Sequence, residues 1–240
     1  MHLSVDDLKK DLYEKASQQR AQGSARFFKT APGEYGEGDL FVGIPVPHIR
    51  NVARKAQHLS LKEIACFVQS PIHEERVFGF IVCVNQFKKT IKDNDSHKQE
   101  LLVRFYLKNK KYLNNWDLID ITAGSILGIY FLKRERAILF KWIESKSLWD
   151  RRLALMTTQG FIRQNDFKDT LLLCQKVLTD HEDLIHKASG WMLREVGKKD
   201  VQLLHQFLTQ HKNKMPRTML RYAIEKLSIE QRKKYLAKNE

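Results

Sequence analysis

Little in this chain could staple or anchor it. Cysteine occurs three times in 240 residues, as Cys66, Cys83 and Cys174, widely spaced and each among apolar neighbours. An odd, scattered set argues against a disulfide framework and suits reduced thiols in a cytosolic protein. No apolar run approaches the ~18 residues of a membrane span, and the opening Met1-His2-Leu3-Ser4-Val5-Asp6-Asp7 does not have the form of a signal peptide. The histidines form no His-Glu-x-x-His and the cysteines no Cys-x-x-Cys, and the His181/His186 and His205/His211 spacings suit no common helical metal site. No metal or other cofactor is therefore expected. All three thiols read as buried and no lysine stands out as desolvated, which leaves thiol or Schiff-base catalysis without a candidate. Strand-like alternation of useful length and Asn-Gly or Asp-Gly hairpin turns are missing too.

Negative charge is the other scarcity. Lys and Arg number 42 against 28 Asp and Glu, a formal charge of +14, and the excess is uneven. Residues 185–238 hold 13 Lys/Arg against 4 Asp/Glu, a net of +9. A polyanion is the natural partner of such a surface. Anionic membrane is the competing partner, but no basic helix carries the Trp/Phe face of an interfacial anchor. Nucleic acid is favoured, on a cytoplasmic, nucleoid-associated and monomeric protein.

What is present is helix. Ser4 and Asp7 form a capping-box pattern ahead of Leu8, Leu12 and Ala16, predicting one amphipathic helix over residues 4–20. The long irregular segment from about Thr30 to Pro47 gathers Pro32, Gly33, Gly36, Gly38, Gly43, Pro45 and Pro47. Its Gly-x-x-Gly-x-Gly order has no preceding strand and no following Gly-Lys-Ser/Thr, so a nucleotide loop is not expected. A loop of this length in a compact domain is often functional. Pro47 restarts a helix with Arg50 and Arg54 on one side and Ile49, Val52 and Ala53 on the other. Further starts are read at Ser60/Glu63, Ser70-Pro71 with Glu74 and Glu75, Ser147/Asp150, Thr179/Glu182 and Ser228/Gln231.

The helices also rhyme. His73–Phe80, Trp149–Met156 and Ile185–Met192 each open on charged or polar residues and continue into an apolar run holding a small residue. With the Trp116 segment and Arg217–Ile224 the spacing is about 32 to 42 residues, a period of stacked helical pairs. The expectation is an all-α, HEAT-like helical-repeat solenoid, curved, forming one domain over 1–240. Residues 1–58 would give N-terminal helices with a Gly/Pro-rich loop at 30–47, and 59–240 the stacked pairs. A plain helical bundle is the alternative.

Asn114-Asn115-Trp116-Asp117-Leu118-Ile119-Asp120 is the stretch of greatest chemical interest. Asn115 reads as an N-cap and Asp117 falls in the first turn, where a carboxylate complements the positive helix end. Asp120 lies beyond cap duty and shares a face with Trp116 four residues earlier. A core tryptophan and a carboxylate paired with some arginine would give the same pattern. Helices expected on the same inner wall supply Arg151 and Arg152, then Lys187, Trp191 and Arg194, then Arg217 and Arg221. Arginine forks grip phosphate, and indoles interleaved with cations suit a sugar–phosphate backbone.

Asn-Asn-Trp-Asp-Leu-Ile-Asp (114–120), Leu-Trp-Asp-Arg-Arg-Leu-Ala (148–154) and Lys-Ala-Ser-Gly-Trp-Met-Leu-Arg-Glu (187–195) resemble the AlkD branch of the DNA alkylation repair enzymes. Gly-Asp-Leu-Phe-Val-Gly-Ile-Pro-Val-Pro-His-Ile-Arg (38–50) and Ser-Pro-Ile-His-Glu-Glu-Arg (70–76) do so as well, in matching order over essentially the whole chain. The resemblance implies a monofunctional glycosylase acting on N3- and N7-alkylated purines in double-stranded DNA, working from the backbone side without a base-specific pocket. It places the family's sugar-contacting tryptophans on Trp116 and Trp191, its catalytic carboxylate on Asp120 and its phosphate-gripping arginine on Arg152. Arg151, Lys187 and Arg194 are the further expected DNA contacts. It assigns no individual role within the N-terminal loop. The rival class is a non-catalytic HEAT scaffold binding DNA structures or protein, which would keep the basic wall and have no use for Asp120.

Overall fold

A computed structural model describes residues 3–237, and these form fourteen α-helices joined by short turns and one long loop. Among the described residues extended pairing is limited to an isolated bridge between Leu40 and Ile72. The chain is an all-α, HEAT-like helical-repeat protein. Its contacts divide it into two compact units, the first ending at Thr122 and the second beginning at Ala123.

The first unit opens with α1 (Val5–Tyr13) and α2 (Gln18–Phe27) rather than one helix. The Ser4/Asp7 capping box forms as expected, but Ser17 turns extended and accepts from the Arg20 N–H, starting a second helix. A capping serine inside an amphipathic pattern thus breaks it. The loop that follows leads to α3 (Val46–Lys55), with Ile49, Val52 and Ala53 buried and Arg50 and Arg54 exposed. Then come α4 (Leu61–Val68), opened by the Ser60/Glu63 capping box, α5 (His73–Lys92) and α6 (Ser96–Lys108).

Helix α5 is buried on nearly every side, packing on α3, α4 and α6, and so serves as the unit's axis. Phe67, Phe78, Phe80, Phe87 and Tyr106 fill the space around it. Its N-cap is Ile72, which has no capping side chain, and Ser70 instead accepts from the Ile72 N–H at 3.0 Å. The unit ends within α7 (Trp116–Tyr130).

The second unit contains the rest of α7, then α8 (Ala137–Ile143), α9 (Leu148–Arg163), α10 (Lys168–Lys176), α11 (Asp183–Lys199), α12 (Val201–His211), α13 (Arg217–Ala223) and α14 (Ile229–Leu236). Helix α11 packs on both α9 and α13, while α8, α10 and α12 back them, giving the alternation of layers expected of stacked pairs. Close approach needs small residues. A Cβ on Gly160 would lie 2.6 Å from the Gly128 Cα, so nothing larger than glycine fits this crossing of α9 and α7. The Ser228/Gln231 box forms on α14, and Ser147 caps α9. The Thr179/Glu182 start does not form: α11 begins at Asp183 after an Glu182 N-cap with no side-chain bond. Cys83 and Cys174 are buried, but Cys66 is exposed on α4, correcting the expectation that all three thiols are buried.

Candidate functional site

The first unit builds a polar cluster and an aromatic stack around the start of α7. The loop between α2 and α3 is tied down by Glu74, a buried carboxylate that accepts from the backbone N–H groups of Val42 (3.1 Å), Gly43 (2.7 Å) and Ile44 (3.3 Å). Gly43 has φ +74°, and a Cβ there would lie 2.2 Å from the Ser17 carbonyl oxygen, so the loop passes where only glycine can. The His73 N–H donates to Leu40 O at 2.8 Å. These bonds deliver Asp39 and Phe41 to one place.

Asp39 is the hub. Buried, it accepts from Arg76 Nη2 at 2.5 Å, Asn114 Nδ2 at 2.7 Å, Asn115 Nδ2 at 3.2 Å and His73 Nδ1 at 3.2 Å. The other ring nitrogen of His73, Nε2, donates to Asp117 Oδ2 at 2.8 Å. Burial opposes ionisation of Asp39, but the His73 hydrogen bond, the Arg76 charge and Asn115 outweigh it and bring its carboxyl down to about 2. Burial likewise disfavours a charged His73, yet the hydrogen bonds to Asp117 and Asp39 prevail and raise it to about 9. At neutral pH an imidazolium therefore sits between two carboxylates, donating from both nitrogens. Asn115 immediately precedes α7 and accepts from the Trp116 N–H at 2.9 Å, a bond to the first helical residue rather than to the second or third that a cap serves, and is itself held by Asp39.

Trp116 is half-buried and stacks on Phe28, with ring centroids 5.2 Å apart and 26° between planes. Phe28 stacks in turn on Phe41 at 5.1 Å, and Phe41 on His73 at 4.6 Å. Phe27, well exposed, meets Trp116 edge-on at 5.8 Å. Asp120, one turn further along α7, is also half-buried. The structure thus keeps Trp116 and Asp120 in the accessible first turns of one helix. It also supplies Asp39, Phe28, Phe41 and His73, which sequence reasoning missed. Phe28 stands just before the Gly/Pro-rich loop, Asp39 and Phe41 within it and His73 at the start of α5, and no local pattern in the sequence connects them.

The second unit carries the basic candidates. Trp191 is half-buried on α11, its Nε1–H donating to Glu195 Oε1 at 3.1 Å, and Lys198 Nζ binds the same oxygen at 2.7 Å. Lys187, one turn before Trp191, pairs with Asp183 at 2.7 Å and remains 40% exposed. Arg194 pairs with Glu225 and lies 3.6 Å from Glu195. Arg152 is buried on α9 and donates from Nη1 to Leu184 O at 2.6 Å, reaching across to α11.

Arg151 differs from its neighbour. Its Nε and Nη2 bind the Asp180 carboxylate at 2.7 and 3.3 Å, and Nη1 donates to the carbonyls of Ser145 and Lys146. Four of its five N–H donors are thereby committed inside the protein. That is a fork fastening α9 to the turn before α11, which leaves Arg151 one N–H donor for the DNA contact expected from sequence. Arg217 and Arg221 are exposed on α13, and Arg217 Nη2 donates to Leu236 O at 2.7 Å. Among the described residues no three His, Cys, Asp or Glu side chains cluster as a metal site, and no helix is long and apolar enough to cross a membrane.

A family model described as DNA alkylation repair enzyme matches residues 8–227. Among solved structures the chain is similar to one titled a predicted DNA alkylation repair enzyme from Enterococcus faecalis. The TM-score is 0.70 at 16% identity, covering 90% of this chain and 98% of that one. At that identity the likeness is one of fold. No curated protein matches.

Proposed function

This chain belongs to the DNA alkylation repair enzyme family, and on that premise we propose that it is a monofunctional DNA glycosylase. It hydrolyses the N-glycosidic bond of N3- and N7-alkylated purines in duplex DNA. The observation that carries this reading is the pairing of Trp116 and Asp120, both half-exposed and one turn apart on a helix start held by a dense hydrogen-bonded cluster.

The chemistry asks for little more. Alkylation at N3 or N7 makes the purine cationic, so the base departs neutral and needs no general acid. Positive charge then develops on the deoxyribose, as in other glycosidic cleavages. A carboxylate beside that sugar stabilises the charge and orients the attacking water, the role assigned to Asp120. The electron-rich indole face of Trp116 adds ~0.5–2 kcal/mol of cation–π stabilisation. Its other face leans on Phe28, which fixes the ring's orientation before DNA arrives.

In the second unit Trp191 contacts the sugar–phosphate backbone and Arg152 grips a phosphate, with Lys187 contributing charge. Glu195 steadies the Trp191 ring, and the Leu184 carbonyl steadies the Arg152 fork. Arg194, already paired with Glu225, has the weaker claim to a phosphate. The test is chromatographic detection of 7-methylguanine and 3-methyladenine released from duplex DNA carrying each lesion, with no metal added. Release above the protein-free blank is expected. Salt-sensitive duplex binding with no release would leave a DNA-binding scaffold, and no salt-sensitive binding a protein-binding one.

A further inference from the structure

One buried group is unexplained by the reaction just described. His73 lies in the first turn of α5, 2% exposed, and is none of the residues assigned to the chemistry. Yet it joins every segment that supports Trp116. Its Nδ1 meets Asp39 of the loop, its Nε2 meets Asp117 in the first turn of α7, and its ring face underlies the column Phe41–Phe28–Trp116. Asp39, in turn, holds both Asn114 and Asn115, the residues that lead into α7.

We propose that His73 is a positioning residue for base release. Clamped between Asp39 and Asp117, it fixes the start of α7 and the ring stack together, and so sets where Trp116 and Asp120 stand. The proposal rests on the glycosylase reading for its effect on rate, but the mechanical link stands on the geometry alone.

The clamp needs both ring protons. A neutral imidazole has one N–H, so on deprotonation one of the two carboxylates loses its donor. The charged groups facing His73 are Asp39 from the loop, Asp117 from α7, and Arg76 from its own helix, whose Nη2 lies 3.5 Å from Nδ1. Arg76 stays charged throughout and also binds Asp39, so removal of the His73 proton leaves that corner paired. The Asp117 corner has no second cation among these groups. Opening is therefore expected on the α7 side, the side that carries the site. With His73 raised to about 9, the clamp is closed at neutral pH and opens in the alkaline range.

Two readouts on the wild-type chain test this. The first is the imidazole 15N titration of His73, followed with the Trp116 indole N–H, the latter assigned by its disappearance in Trp116→Phe. The second is the single-turnover rate of 7-methylguanine release at saturating protein from pH 7.5 to 9.8, each point corrected with protein-free DNA. The indole signal should shift with the midpoint of His73, near 9, and the rate should fall at least fivefold through the same midpoint. His73→Gln should be at least fivefold slower at pH 7.5, bind duplex DNA within twofold of wild type, and show no such alkaline fall. An indole signal indifferent to the His73 titration overturns the clamp. An indole that follows it while the rate stays flat overturns the positioning role. Absence of release at every pH would overturn the glycosylase reading, and with it the role in base release, while the indole titration still judges the clamp by itself.

Discussion

The two units handle charge in opposite ways. In the first, four consecutive charged side chains, His73 to Arg76, are each 4% exposed or less and each has protein partners. Residues 1–122 are close to balanced, with 19 Lys/Arg against 15 Asp/Glu. In the second, 23 Lys/Arg face 13 Asp/Glu, and Lys187, Lys198, Arg217 and Arg221 stand at the surface. Buried, paired charges do little for overall stability compared with a packed apolar core, but they fix geometry, and removing one partner is costly. Exposed cations fix geometry less firmly, but they attract a polyanion and make its binding salt-dependent. On the proposed reading, position is the task of the first unit and affinity that of the second.

The sharpest way to break this contrast is Asp39→Ala. It leaves His73 and Arg76 buried without their shared carboxylate, and a loss of ~3–5 kcal/mol in urea unfolding is expected. A loss below ~1 kcal/mol would mean that the cluster is not the anchor of the loop.

The pH dependence of stability comes next. His73 has its pKa raised in the folded state, so its contribution is fully present below about 6.5, its ordinary value, and is lost as pH climbs through about 9. The shift corresponds to ~3 kcal/mol, read as an alkaline fall in the urea midpoint that His73→Gln should lack. Asp39 has its pKa lowered, so its contribution is present above about 3.8 and is lost as pH drops through about 2.

Effects in the second unit should be smaller on stability and larger on affinity. Arg152→Ala should weaken duplex binding across all sequences and reduce the slope of log affinity against log salt by about 1. An unaltered slope would argue against a phosphate contact there. Lys187→Ala should be the mildest. It removes a half-exposed i,i+4 pair with Asp183, worth ~0.3–0.5 kcal/mol, and should leave the unfolding midpoint almost unmoved.

Sequence reading captured much of what is local, but not the Ser17 cap that splits residues 4–20 into two helices, nor the failure of the Thr179/Glu182 start. The Ser4/Asp7, Ser60/Glu63 and Ser228/Gln231 boxes were legible because cap and partner are three residues apart. The repeating layers of α9, α11 and α13 followed from helices that rhyme, and Trp116 with Asp120 followed from a one-turn spacing. What escaped was long-range. Asp39 meets its partners 34 to 76 residues away, through a loop with no period to read. The run His73–Arg76 read only as the charged opening of a helix, and here each charge is buried and meets a partner from another segment. Arg151 and Arg152 are indistinguishable by type, and only the fold shows that one is fastened to Asp180 while the other reaches the Leu184 carbonyl.

The central claim is that Asp120 stabilises a sugar as it becomes cationic. The direct measurement is single-turnover release of 7-methylguanine by wild type and Asp120→Asn, with duplex affinity determined on the same preparations. A rate at least tenfold lower with affinity nearly unchanged is the expected result. An Asp120→Asn protein that releases base as fast as wild type would contradict it.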